Sequence, residues 1–114
     1  MREIYKIATA EQWSAAEACG RFDGAPVDLA DGFIHFSTAA QARETAAKHF
    51  AGQTGLVLAA LDADALGAEL KWEPSRGGDL FPHLYRSFDM TEVLWAKQLP
   101  LQENGGHDFE GLLP

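Results

Sequence analysis

Two histidines sit inside otherwise apolar stretches. His35 lies between Ile34 and Phe36, and His83 lies between Pro82 and Leu84. An imidazole with an ordinary pKa of about 6.5 can take or give a proton near neutrality, which suits general acid–base work. Strand alternation assigns each histidine its neighbours. Over residues 33–37, Phe33, His35 and Ser37 share one face. Over residues 80–85, Phe81, His83 and Tyr85 fall together. Two aromatics beside an imidazole form a clamp for a flat ring, such as a base or a nicotinamide.

Ser37 and Thr38 open a helix. Free backbone N–H groups and the positive end of a helix dipole therefore lie near His35, an arrangement that favours an anion such as a phosphate. The same two hydroxyls serve equally as plain helix caps. Glu73 closes a strand before the loop at 74–79, where function often concentrates, and Arg76 in that loop is placed to meet an anion. Glu69 and Lys71 give Glu73 an alternative as part of a solvated face. His49 and His107 read as surface residues. The single cysteine, Cys19, reads as a packed structural thiol, and alone it forms no internal disulfide. His35, His83 and Glu73 together make a conceivable zinc site, but their spacing is not diagnostic, so no metal is expected. There is no phosphate-cradling P-loop, dinucleotide glycine fingerprint, paired cysteine motif or Gly-x-Ser-x-Gly elbow.

These residues need elements to carry them. Residues 3–8 read as a strand. Thr9 and Gln12 fit a capping box for a helix ending at Cys19, with Gly20 beyond it. Residues 21–32 read as a loop. A strand at 33–37 leads to a second capped helix at 39–50. The unbroken apolar run 56–61 suits a strand buried on both faces. Residues 62–67 read as one helical turn, 68–73 as an alternating strand, and 92–99 as the last strand. Pro82 confines the 80–85 strand to a sheet edge or a strand entry. The expected fold is α+β, a small curved, mostly antiparallel sheet with two main helices on it. The 114 residues suffice for one domain, placed at 1–101, with a polar tail at 102–114.

Seventeen acidic and nine basic residues leave a net charge of −8. That charge opposes duplex nucleic acid and anionic membranes, though it leaves a single nucleotide open. No apolar run approaches ~18 residues, so no membrane span is expected. No basic segment followed by an apolar stretch opens the chain. Cytoplasmic residence is the expectation, as a monomer or weak homodimer.

The stretches 4–9, 32–38 and 80–85 resemble a small bacterial family catalogued as domain of unknown function 952. The resemblance spans residues 4 to 99. That family looks related in fold to the ADP-ribosyltransferases and RNA 2′-phosphotransferases, which share a split, curved sheet around a cleft for NAD or ADP-ribose. In them the first strand carries Tyr-His-Gly-Thr. Here Tyr5-Lys6-Ile7-Ala8-Thr9 resembles it loosely, with Lys6 at the histidine position and the glycine missing. The transferases' late glutamate has no clear match, and His83, or less readily Glu92, stands in its place.

The resemblance implies a cleft for a small NAD- or ADP-ribose-type nucleotide, and a transferase acting on ADP-ribose or a phosphate. His35 would bond a ribose or phosphate. His83 would stabilise charge or move a proton. Lys6 and Arg76 would neutralise a pyrophosphate, and Phe81 and Tyr85 would stack on a ring. The alternatives are a catalytically inactive module binding a ligand or protein on the same fold, and a metal-dependent hydrolase.

Overall fold

Strand β1 (Glu3–Thr9) pairs antiparallel with β4 (Leu56–Asp62), and β4 pairs with β8 (Val93–Leu99), in a computed structural model that describes residues 2–114. The side chain of Arg76 lies outside the described residues, and with it the role assigned to it from sequence. β4 is the centre of this sheet and is buried on both faces, as its apolar run requires. Ala59 and Leu61 join one core, with Ile4, Ala8, Trp13, Phe22, Phe36 and Phe88. Leu56, Leu58 and Ala60 join a second, with Tyr5, Ile7, Ala42, Ala46 and Leu99.

Helix α1 (Ala10–Cys19) follows β1 directly. Thr9 and Gln12 form the expected capping box, and Gly20 ends the helix in the left-handed region at φ 87°. Residues 21–32 are not a plain loop. Arg21–Phe22 forms a short strand, β2, paired with β7 (Phe88–Asp89), and Pro26–Asp31 forms a helix, α2. Proline at the first helical position, an aspartate in the first turn and glycine just past the end are start and stop signals, and they outweigh the turn content of this stretch. Gly32, at φ 87°, reverses the chain out of α2 into β3. The helices therefore number three among the described residues rather than the two expected, with α3 at Ala39–His49 capped by Thr38 and Gln41.

The remaining ladder is β3 (Ile34–His35), β6 (Asp79–Leu84) and β5 (Leu70–Ser75), in that order and antiparallel. The strand expected at 33–37 is thus only two residues long. Its continuation crosses to the first sheet, where Tyr5 and Ser37 exchange backbone hydrogen bonds of 2.8 and 2.9 Å. β6 is the middle strand, which corrects the edge position inferred from Pro82. The Pro82 carbonyl accepts from the Phe36 N–H at 3.0 Å, so the proline's missing donor also lies on the β3 side, where β3 has already ended. Ala68 belongs to a 3-10 turn, and β5 starts at Leu70. The tail folds back, and Phe109 is buried in the second core.

The architecture is α+β, with antiparallel sheets and three α-helices. Among the described residues no helix is long and apolar enough to cross a membrane.

Candidate functional site

The Tyr5–Ser37 bridge joins the two sheets, and beside it they diverge around a cleft of about 490 Å³. Both predicted histidines line it. Their Cα atoms are direct register partners across β3 and β6, which sets the rings 5.5 Å apart, edge to face. Ser37 and Phe81 also border the cleft. Strand alternation thus gathers these four correctly.

His83 is buried, and its Nδ1 lies 2.8 Å from Glu73 Oε1. The same carboxylate oxygen accepts the Tyr85 hydroxyl at 2.7 Å. Glu73 comes from β5 and His83 from the neighbouring β6, two residues out of register with each other, on the same face of the sheet. Hydrogen bonds from Tyr85 and then His83 hold the Glu73 carboxyl below its ordinary pKa, and the Glu73 carboxylate in turn raises that of Tyr85. With Nδ1 committed to a carboxylate, Nε2 is the nitrogen His83 has left to offer. A carboxylate that fixes a histidine's tautomer and orientation is the usual companion of an imidazole that moves protons.

Phe33 packs between these groups. Its ring stacks on His83 at 4.1 Å and 28°, and lies 4.6 Å from His35 and 5.2 Å from Tyr85. The ring stacked on His83 is Phe33. Tyr85 stays partly exposed with its hydroxyl on Glu73.

His35 lies between two carboxylates. Its Nδ1 is 2.6 Å from Asp28 Oδ1, and its Nε2 is 2.9 Å from Asp31 Oδ2. Asp28 is fully buried at the start of α2 and also holds Lys6, whose Nζ sits 3.0 and 2.8 Å from its two oxygens. Two backbone donors complete the shell, Ala25 N–H at 2.8 Å and His35 N–H at 3.1 Å. Burial alone pushes the Asp28 carboxyl up. The His35 ring, the Lys6 ammonium and the Ala25 N–H together overcome it and hold the group at about 2. Burial lowers Lys6, and Asp28 opposes that shift.

Lys6 is thus not a free cation for a pyrophosphate. It is buried, with its charge balanced by Asp28, and it acts on the cleft by anchoring the carboxylate that orients His35. Thr38 caps α3 through the Gln41 N–H at 3.3 Å. The Ser37 hydroxyl shares a 2.9 Å hydrogen bond with Thr45. Glu92 is held by Arg86 at 2.9 and 3.0 Å. His49 is exposed, as its sequence reading has it, and also borders the cleft. His107 is half-buried, with Nε2 2.9 Å from the Gln53 carbonyl and Nδ1 enclosed without a partner. Cys19 is exposed, not packed, because it falls on the outer side of α1.

Asp28, Asp31 and Phe33 escaped the sequence reading as site residues. The first two vanished with the helix read as a loop. Phe33 lies just before β3, beside His35 as alternation predicts, but an aromatic carries no mark in the sequence of the ring it will stack on.

A family model described as a protein of unknown function, DUF952, matches residues 7–96. The chain belongs to this family. Its structure is similar to the crystal structure of protein CC0527 from Caulobacter crescentus, with 53% sequence identity, 96% of each chain covered and a TM-score of 0.92. A double mutant of that protein gives 51% identity at the same coverage and TM-score. The solution NMR structure of CC0527 gives 53% identity and a TM-score of 0.88, covering 99% of this chain and 97% of the other. No curated protein matches the DUF952 chain described here.

Proposed function

We propose that the cleft binds a small nucleotide-like ligand of the NAD or ADP-ribose type, and that His83 takes or gives a proton there. The observation that carries this reading is the Glu73–His83 pair, whose imidazole is buried against Phe33 at the wall of the cleft. The volume of about 490 Å³ lies in the range of small-ligand sites, roughly 300–1,000 Å³. The lining combines apolar walls from Ile7, Phe36 and Phe81 with polar groups from Ser37, Thr45 and His35. Such a mixture suits a ring attached to a hydroxylated, phosphorylated moiety. The ligand class rests on the resemblance of the stretches 4–9, 32–38 and 80–85, which implies a cleft of the ADP-ribosyltransferase and RNA 2′-phosphotransferase kind. In the catalytic form of the proposal, the DUF952 chain transfers ADP-ribose or a phosphate group.

A second reading rests on Lys6. Its pairing with Asp28 withdraws a cation that a transferase would direct at a pyrophosphate. The fold then serves as a non-catalytic module that binds the same kind of ligand.

Thermal unfolding with millimolar NAD, ADP-ribose and a 2′-phosphorylated nucleotide tests both. A ligand at about 100 times its dissociation constant adds about 2.7 kcal/mol. The midpoint then rises by roughly 10 °C in a domain of this size. The rise disappears in His83→Ala. Release of nicotinamide from NAD separates the transferase from the binder. No rise with any of the three compounds rejects the nucleotide reading in both forms.

A further inference from the structure

Two carboxylates of α2 meet the His35 ring, and they are not equivalent. Asp28 and Asp31 rise from adjoining positions on one side of the helix, three residues apart. The Asp28 side chain is 1% exposed, and besides the ring it holds Lys6 and two backbone N–H groups. It is built into the fold. The Asp31 side chain is 48% exposed, and His35 Nε2 at 2.9 Å is its ion-pair partner among the described residues. Asp31 also borders the cleft, as His35 does, whereas Asp28 lies behind the ring.

A carboxylate brings no proton to a hydrogen bond, so the ring serves both partners only as the imidazolium. The charges then close in pairs, Lys6 with Asp28 inside the fold and His35 with Asp31 at the cleft. An ion pair this exposed contributes little stability, so opening it costs little. Once Asp31 swings into solvent, one positive charge faces the cleft through the Nε2 N–H. Asp28 still fixes the ring through Nδ1 at 2.6 Å. An oriented, charged donor of this kind makes its strongest hydrogen bond to an anionic oxygen. The Ser37 and Thr45 hydroxyls line the same cleft, 2.9 Å from each other, and one of them has a proton to turn toward a second oxygen.

We propose that His35 Nε2 is an anion subsite and that Asp31 is its built-in competitor, a carboxylate that leaves as the phosphate of a ligand enters. The proposal rests on the reading of the cleft as a nucleotide site and assigns His35 to the phosphate rather than to a ribose hydroxyl. A neutral hydroxyl does not replace a carboxylate on an imidazolium, so Asp31 selects for ligands that carry a phosphate there. It also lowers the apparent affinity, by the fraction of molecules in which it has let go.

The test titrates the full chain with inorganic phosphate, ADP-ribose and adenosine, and reads the His35 ring nitrogens by NMR, assigned with His35→Gln. Asp31→Asn is expected to bind inorganic phosphate and ADP-ribose roughly three- to tenfold more tightly than the parent. Adenosine, which lacks a phosphate, is expected to gain nothing. The gain is expected to vanish when His35→Gln is added to Asp31→Asn. Glu17→Gln removes the same charge from an exposed position on α1, away from the cleft, and is expected to match the parent. Phosphate binding that is absent in both parent and Asp31→Asn, or that Asp31→Asn leaves unchanged or weaker, overturns the proposal. A gain that Glu17→Gln reproduces would come from net charge alone and overturns it too. The two readings fail separately. Phosphate bound at His35 with the Asp31→Asn gain, but no binding of ADP-ribose, removes the nucleotide and keeps the subsite. ADP-ribose bound equally by parent and Asp31→Asn keeps the nucleotide and removes the subsite.

Discussion

Asp28 Oδ1 accepts from two atoms of one residue, the backbone N–H of His35 at 3.1 Å and the His35 ring Nδ1 at 2.6 Å. A carboxylate on α2 thereby fixes both the strand position and the ring orientation of a histidine seven residues later. Asp31, one turn further along the same helix, holds the other nitrogen. Neither ring nitrogen is idle, so the ring does not rotate without breaking two charge-assisted contacts. α2 is in effect the mount for His35, and Lys6 secures that mount from β1.

Asp28 should dominate the acid limb of stability. Its carboxyl is at about 2 in the folded chain, below its ordinary value near 3.8. A depressed pKa means the folded state favours the carboxylate. The contribution is therefore complete above about pH 4 and is lost as pH falls through about 2. Its size is on the order of 2 kcal/mol at neutrality. Urea unfolding of the parent and Asp28→Asn across pH 2–6 checks this. The parent is expected to lose stability steeply below pH 4, and Asp28→Asn to be weaker at pH 6 but flatter in acid. Parallel curves for the two proteins would show that other carboxylates carry the acid limb.

Lys6→Met should destabilise the fold by about 3 kcal/mol. Removing one partner of a buried pair leaves the other charge without its counterion. Asp28 retains His35 and two backbone donors, which keeps the loss at the lower end. Lys6→Met combined with Asp28→Asn should lose less than the sum of the single variants, because the double change removes both charges. A double-mutant cycle from denaturant unfolding reads the difference directly. Simple additivity would mean that the two residues stabilise the chain independently, against the 2.8 Å contact.

Those two charges also mark where the sequence was legible and where it was not. Period-two alternation put His35 and Ser37 on one face and Phe81 and His83 on another, and the cleft unites them. Capping boxes at Thr9 and Thr38 and the apolar run of β4 were readable because each is a local signal with a local cause. Lys6 was misread because a lysine looks free until its partner is known, and Asp28 is 22 residues away. Pro82 was misread for a related reason. Whether a strand proline sits at an edge depends on which side its missing donor faces, and that depends on where β3 stops. His83 finds its stacking partner only through the β3–β6 pairing, which brings up Phe33 from just before β3.

Glu73→Gln should uncouple His83 from its orienting group while leaving the fold intact, since Glu73 is substantially exposed. An amide side chain accepts less strongly than a carboxylate, and its nitrogen can turn toward the ring. Nitrogen NMR of the His83 ring should show a changed balance between the two tautomers. Binding of whichever nucleotide stabilises the parent should weaken about tenfold, the worth of one hydrogen bond to a charged group, about 1.5 kcal/mol. Tyr85→Phe removes only the second donor to the same oxygen and should leave the tautomer unchanged. If Glu73→Gln matches the parent in both measurements, the carboxylate has no orienting role.

The tail provides a contrasting prediction, of stability without affinity. Phe109 is 4% exposed, packed with Ala42 and Ala46 of α3, and the Arg43 guanidinium lies 5.5 Å from its ring. Truncating a buried phenylalanine costs about 3–5 kcal/mol, through lost burial and the void left behind. Phe109→Ala should therefore lower the melting temperature by 10 °C or more, on the scale of roughly 4 °C or more per kcal/mol for a domain of this size. Among the residues that line the cleft, none belongs to the tail. α3 contributes Thr45 and His49 to the lining, and Phe109 packs on the adjoining Ala42–Ala46 stripe without itself bordering the cleft. At a temperature where the variant is fully folded, nucleotide affinity should match that of the parent within about twofold. A large loss of affinity in folded Phe109→Ala would mean that the second core sets the position of α3 at the cleft.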